Sequence, residues 1–134
     1  MLEAQPWPAG VLQFPEGLPG FESLREFVLR QEADLLPVVF LVSLSEPQVS
    51  LPVILARHLR PDYQLCLSEE DRRTLNVTED AAPGANLLCL AVLNLGDGAR
   101  PCANLLAPIV INTANSKAKQ VIQIETPYST ASEI

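Results

Sequence analysis

The side chains able to do acid–base, nucleophilic or metal chemistry are few: one histidine, three cysteines and one short run of acids. His58 sits in Ala56-Arg57-His58-Leu59-Arg60-Pro61, where the flanking arginines disfavour both a second cation and a bound metal ion, so it reads as an exposed loop residue. Cys66, Cys89 and Cys102 have neither CxxC spacing nor the density of a disulfide scaffold. Each lies in an apolar setting, and they read as buried, reduced thiols acting as small hydrophobes. No His, Cys or carboxylate cluster has zinc-ligand spacing. No serine occupies a G-x-S-x-G elbow, and Gly96-Asp97-Gly98 is a hairpin turn that lacks the third glycine of a dinucleotide loop. Glu69-Glu70-Asp71 could do acid–base work, but acids opening a polar helix read as a solvated surface matched to the helix dipole. With no catalytic, cofactor or metal residues to name, the domain is expected to bind protein rather than to catalyse. Its acidic helix would then give it a protein-facing surface.

The elements that must carry these residues are mostly strands. Val11 to Phe14 is a short apolar segment that runs into Pro15-Glu16-Gly17-Leu18-Pro19-Gly20-Phe21, where proline and glycine fall at the positions a type II turn requires. Glu26 to Arg30 alternates as a half-buried strand does, and Leu35 to Leu44 reads as a fully buried strand. Ser45-Glu46-Pro47 turns the chain into a strand over Val49–Ala56, where Pro52 argues for an edge position or a bulge. Asp62 to Leu67 alternates again, with Tyr63, Leu65 and Leu67 on one face. Ser68 to Leu75 is the one helix: Ser68 can cap it, Asp71 three residues on completes a capping-box variant, and Glu69 and Arg73 lie at i,i+4 spacing. After Pro83-Gly84, Asn86–Leu95 is a buried strand, and Ala103–Asn112 with Lys119–Ile124 forms a hairpin across a polar loop at Thr113–Ala118. Pro108 again marks an edge or bulge. The expected fold is all-β: a small antiparallel β-barrel-like single domain with one short helix, a sandwich being the alternative. Its core spans about residues 11–128, with residues 1–10 and 129–134 frayed.

Composition fits that reading. Twelve prolines in 134 residues exclude a long-helix bundle, and 48% hydrophobic against 19% charged residues excludes intrinsic disorder. The formal net charge of −7 disfavours direct nucleic-acid binding. No apolar run approaches the ~18–20 residues that span a bilayer, and Met1–Pro8 lacks the basic and apolar regions of a signal peptide, so a cytoplasmic location is expected. Nothing in the sequence signals an oligomeric state.

Two stretches carry a resemblance. Phe14-Pro15-Glu16-Gly17-Leu18-Pro19-Gly20-Phe21-Glu22, followed by Phe27-Val28-Leu29, resembles the opening motif of the flagellar assembly factor FliW family. Ala103-Asn104-Leu105-Leu106-Ala107-Pro108-Ile109-Val110-Ile111-Asn112, followed by Gln120-Val121-Ile122, is similar to that family's C-terminal signature. Within these, Phe14, Gly17, Leu18, Pro19, Gly20, Phe21, Asn104, Leu105, Ala107, Pro108, Ile109 and Asn112 read as structural: turn formers, core residues, and amides that satisfy backbone groups. The chain departs from the family pattern at Val42, at Leu55-Ala56 and in the 113–118 loop, which carries only Lys117 as a base. The resemblance implies a non-enzymatic cytoplasmic protein that binds flagellin. When flagellin is scarce it would instead bind and antagonise the translational regulator CsrA. Glu69, Glu70 and Asp71 are then candidate contacts for that RNA-binding partner. The alternatives are a divergent adapter of the same fold with a different partner, and an enzyme or ligand carrier built in a barrel mouth.

Overall fold

A computed structural model describes residues 8, 10–77, 87–94, 101–124 and 126–133. Among these residues, eight strands form one sheet: β1 (Leu12–Gln13), β2 (Glu26–Gln31), β3 (Val39–Ser43), β4 (Ser50–Leu55), β5 (Leu87–Asn94), β6 (Cys102–Asn112), β7 (Lys117–Gln120) and β8 (Ser132–Glu133). Their order is β5-β4-β3-β2-β1-β7-β6-β8, and a further β5–β6 pairing closes seven of them into a barrel with β8 added beside β6. All pairings are antiparallel except β1–β7, a parallel contact at Gln13 and Lys117. That contact lets β1 close the ring without an edge. Because the strands alternate direction around the rest of the ring, β1, β3, β5 and β7 all end at one mouth of the barrel, where β2, β4 and β6 begin.

Alternation along the strands sends Leu12, Phe14, Phe27, Leu41, Val53, Leu90, Ile109 and Ile111 into the barrel. The intervening residues face outward, and over β4, β5 and β6 they too are covered. Two short helices, α1 (Ala56–Leu59) and α2 (Glu69–Leu75), with the chain between them, pack on that outer face. Ile54, Tyr63, Leu93 and Leu105 form one outer cluster; Leu75, Val110 and Val121 form another.

Several expectations are corrected. The buried strand expected from Leu35 is β3, which starts only at Val39, because Ala33–Leu35 forms a 3-10 turn and Pro37 has no amide hydrogen for a ladder. Leu35, Leu36 and Leu44 are exposed. Asp62–Leu67 is not a strand: it crosses the outer face without a ladder, and its alternation comes from Tyr63, Leu65 and Leu67 packing downward. The Lys119–Ile124 strand is displaced to Lys117–Gln120, because Ser116 takes a left-handed φ of 61° and turns the hairpin early. α1 and the 3-10 turn add helix beyond the one expected, and His58 lies exposed on α1 rather than in a loop. β8 orders a C-terminal segment expected to fray. Cys66 is exposed, while Cys89 and Cys102 are half-buried.

The two proline readings part: the edge or bulge expected at Pro52 is corrected, and the bulge expected at Pro108 is present. β4 is an interior strand, yet its pairing with β5 begins at Val53, so Pro52 bonds toward β3 alone and no ladder donor is lost on the other side. Pro108 lies in a bulge: between the Leu90–Ile109 and Val92–Asn104 pairs, Ala91 alone faces Leu105–Pro108. The Pro83-Gly84 and Gly96-Asp97-Gly98 turns lie outside the described residues, as do most of the first ten. No helix among the described residues is long and apolar enough to cross a membrane.

Candidate protein-binding surface

The first motif closes one mouth of the barrel. Phe14 is buried and meets the Phe27 ring edge-on at 5.1 Å, and its amide donates to the Arg25 carbonyl. Gly17 has φ +67°, and a Cβ there would stand 2.6 Å from the Glu22 carbonyl oxygen, so position 17 admits only glycine. The Phe21 amide donates to the Leu18 carbonyl at 2.7 Å across Pro19 and Gly20, with Gly20 at φ +86°, as the expected type II turn requires. Leu18 and Leu24 turn into the barrel as a plug, leaving Phe21 exposed at the tip. The Gly20 amide donates to the Glu22 carboxylate, and this bond holds the carboxyl below its ordinary range.

The second motif builds the bulge beside that plug. Asn104 Oδ1 accepts from the Ala107 amide at 2.9 Å, which folds the extra residues out of the ladder. The displaced amides of Leu105 and Leu106 both donate to the Ser129 carbonyl. Pro108 and Leu106 carbonyls accept from Val121 and Gln123 amides at 2.8 and 2.7 Å. At the far end of β6, Asn112 is buried; its Nδ2 donates to the Leu75 carbonyl at 2.8 Å and its Oδ1 accepts from the Ala114 amide. These residues make hydrogen bonds to backbone groups within the fold.

Helix α2 sits between the two motifs. Its capping box is complete: Asp71 N–H donates to Ser68 Oγ at 3.0 Å, and Ser68 N–H donates to Asp71 Oδ2 at 3.1 Å. Lys119 of β7 reaches across to Asp71 Oδ1 at 2.8 Å and stands 3.7 Å from Glu16 Oε2, which also accepts from Thr74 Oγ1. One lysine thus ties the first motif, the helix and the hairpin together. At the helix C-terminus Asn112 and Asn115 both donate to the Leu75 carbonyl, and Lys117 Nζ donates to Asn76 Oδ1.

This geometry divides the acidic run. Asp71 is not available to a partner: its side chain is 11% exposed and committed to Ser68 and Lys119. Burial alone would raise its carboxyl, but the bonds from Lys119 and Ser68 prevail and hold it below the usual carboxylate range. Lys119 answers in the same sense: burial would lower it, yet Asp71, Glu16 and Glu70 keep it above the usual ammonium value. Glu69 and Glu70 do face solvent, Glu69 in an i,i+4 pair with Arg73. Sequence periodicity could not separate the three, because the capping role and the outward role fall on adjacent residues.

Gln123 and Tyr128, which the sequence reading passed over, hold the outer layer together with Tyr63. Gln123 is buried, and its amide pairs with both the N–H and the carbonyl of Cys66 at 2.8 Å each, replacing a missing strand. Its signal was a polar residue inside Val121-Ile122-Gln123-Ile124. Tyr63 Oη donates to the Leu105 carbonyl at 2.6 Å, and its ring stacks on Tyr128 at 4.3 Å. Burial raises the Tyr63 hydroxyl and pushes the Cys89 thiol up to about 12, so neither ionises near neutrality. No group of three metal-ligating side chains occurs among the described residues. Among the described residues, the first motif and α2 leave Phe21, Glu22, Glu69 and Glu70 exposed to solvent.

Comparison with known proteins follows the same lines. The sequence model of the FliW protein family matches residues 3–134. A Pseudothermotoga lettingae protein named flagellar assembly factor FliW is 40% identical over 119 residues, covering 89% of this chain and 74% of that protein. A Thermosipho africanus protein of the same name is 38% identical over 69 residues, covering 52% of this chain and 48% of its own length. A solved structure described as the crystal structure of the flagellar assembly factor FliW superposes with a TM-score of 0.81 at 29% identity, covering 98% of this chain and 89% of that one.

Proposed function

This chain belongs to the FliW protein family, and from that premise we propose that it is a non-enzymatic flagellar assembly factor that binds flagellin. When flagellin is scarce it binds the translational regulator CsrA instead and relieves repression of flagellin synthesis. The observation that carries this reading is the match over 89% of the chain to a protein named as a flagellar assembly factor. The surface supports it: the chain carries −7 net charge, and an RNA-binding partner needs lysines and arginines that an acidic face can engage. The chain itself, with a net charge that repels phosphate, acts on RNA only through that partner in this reading. Two proteins drawing on one limited pool of a third set each other's free level by mass action, so no catalytic group is required.

Calorimetry and size-exclusion chromatography of the purified chain with flagellin, and separately with CsrA, test the reading. Complex formation with each is expected, and the CsrA complex should weaken with salt. Binding to neither protein would sink the proposal.

A further inference from the structure

Seven large hydrophobic side chains are exposed among the described residues, and they divide between the two mouths, with Val11, Leu35 and Leu36 where the odd-numbered strands begin. Phe21 lies in the β1–β2 connection, Leu44 in the β3–β4 turn, and Ile122 and Ile124 just beyond β7. All four positions belong to the mouth where the odd-numbered strands end. Ile122 and Ile124 are 64% and 74% exposed, the highest values of the group, although both neighbours of Ile122 are buried. Their alternation explains this: Val121 and Gln123 bond back to the β6 bulge, which turns the isoleucines the other way. Nothing in the fold requires aliphatic residues there.

Among the described residues, charge at the same mouth is mostly acidic. Glu16, Glu22 and Glu26 lie in or beside the β1–β2 connection, and Glu46 in the β3–β4 turn. The start of α2 lies over Lys119 and adds Glu69 and Glu70. Of the bases among the described residues there, Lys119 is spent on Asp71 and Glu16 and Arg73 pairs with Glu69, leaving Arg25 and the half-buried Arg72 against the remaining acids. A second copy of the chain is a poor occupant, because a two-fold contact would set this acidic rim against itself.

We infer that this mouth is the docking surface for a partner segment in which aliphatic side chains are interspersed with lysine or arginine. The aliphatics would cover Phe21, Leu44, Ile122 and Ile124, and the bases would meet Glu22, Glu46 and the α2 acids. This inference rests on the proposed binding of a basic regulator and assigns it a place. A contact of this kind draws its affinity from the aliphatic centre and its association rate from the acidic rim.

The test measures calorimetric binding of full-length CsrA to three variants of the intact chain at about 50 and 300 mM salt, where screening differs strongly. The pair Ile122→Ser/Ile124→Ser should lose roughly tenfold or more in affinity at both salts. The pair Glu22→Lys/Glu46→Lys should lose roughly tenfold at low salt and much less at high salt. Leu35→Ser/Leu36→Ser, at the opposite mouth, should change affinity less than about twofold. All substituted side chains face solvent, so circular dichroism melts should show folded variants. Wild-type binding that both mouth variants retain, or a larger loss from the Leu35 and Leu36 pair, overturns the docking surface while leaving the partner reading intact. No binding of CsrA by the wild-type chain overturns both. A wild-type dimer in light scattering that Ile122→Ser/Ile124→Ser abolishes assigns the surface to a second copy and also overturns the inference.

Discussion

Replacing Asp71 by alanine removes two interactions at once. The Ser68 amide loses its acceptor at 3.1 Å, and the Lys119 ammonium loses its 2.8 Å partner while still only 12% exposed. An ordinary hydrogen bond is worth ~0.5–1.5 kcal/mol, and one to a charged group ~1.5–3. The sum is ~2–4 kcal/mol, within reach of the ~3–5 measured when one member of a buried pair is removed. Glu16, 3.7 Å from Lys119 and half exposed, recovers little of it. For a chain of this size the loss corresponds to a melting temperature lower by ~10 °C. Urea and thermal denaturation followed by circular dichroism give both quantities. Glu69→Gln, at a side chain 82% exposed, is the control and should stay within ~0.5 kcal/mol of wild type. Asp71→Ala/Lys119→Met removes the orphaned ammonium and should be less destabilised than the sum of its single changes by ~1–2 kcal/mol. The reasoning fails if Asp71→Ala is as mild as Glu69→Gln, or if the two single changes simply add.

Other outcomes follow from the same contacts. Gly17→Ala forces a Cβ to 2.6 Å from a carbonyl at positive φ and should cost ~2–4 kcal/mol, whereas Gly20→Ala meets open space and should cost only ~1, both read from urea midpoints. The Asp71 carboxyl is held below its ordinary value, so its contribution is present above ~pH 4 and lost as pH falls through the lowered value; Lys119 is held high, so its contribution is lost only as pH rises past ~10.4. The stability gap between wild type and Lys119→Met should therefore be flat from about pH 5 to 9 and shrink in acid; a gap that changes steadily between those limits would contradict the pairing. Cys66 should react with iodoacetamide in the folded chain at neutral pH while Cys89, its thiol pushed up to about 12, stays unmodified by mass spectrometry until urea unfolds it.

The parts of the fold legible in the sequence are those governed by local rules. Pro19 and Gly20 dictate a type II turn wherever the rest of the chain goes, and Ser68 with Asp71 dictates a helix start. Pro108 announced a bulge because a proline inside an apolar strand has few other places to go. Features set by distant partners were hidden. Asp71 is buried only because Lys119, from a strand 48 residues later in the same numbering, reaches it. Asp62–Leu67 alternates like a strand because it packs on a sheet, and periodicity does not distinguish packing on a sheet from joining one. Leu35 and Ile122 are apolar yet exposed, and composition alone assigns such residues to the core. The candidate surface was therefore legible as acidic helix and motif turn, while its aliphatic centre emerged only from the strand register.

The central claim is a partner switch, and competition tests it most directly. The purified chain is loaded with CsrA, and flagellin is titrated in while free CsrA is followed by its binding to a labelled RNA that it represses. Flagellin should release CsrA stoichiometrically, restoring RNA binding, with no RNA bound by the chain itself. CsrA that remains captured at saturating flagellin, or that was never captured, would contradict the account.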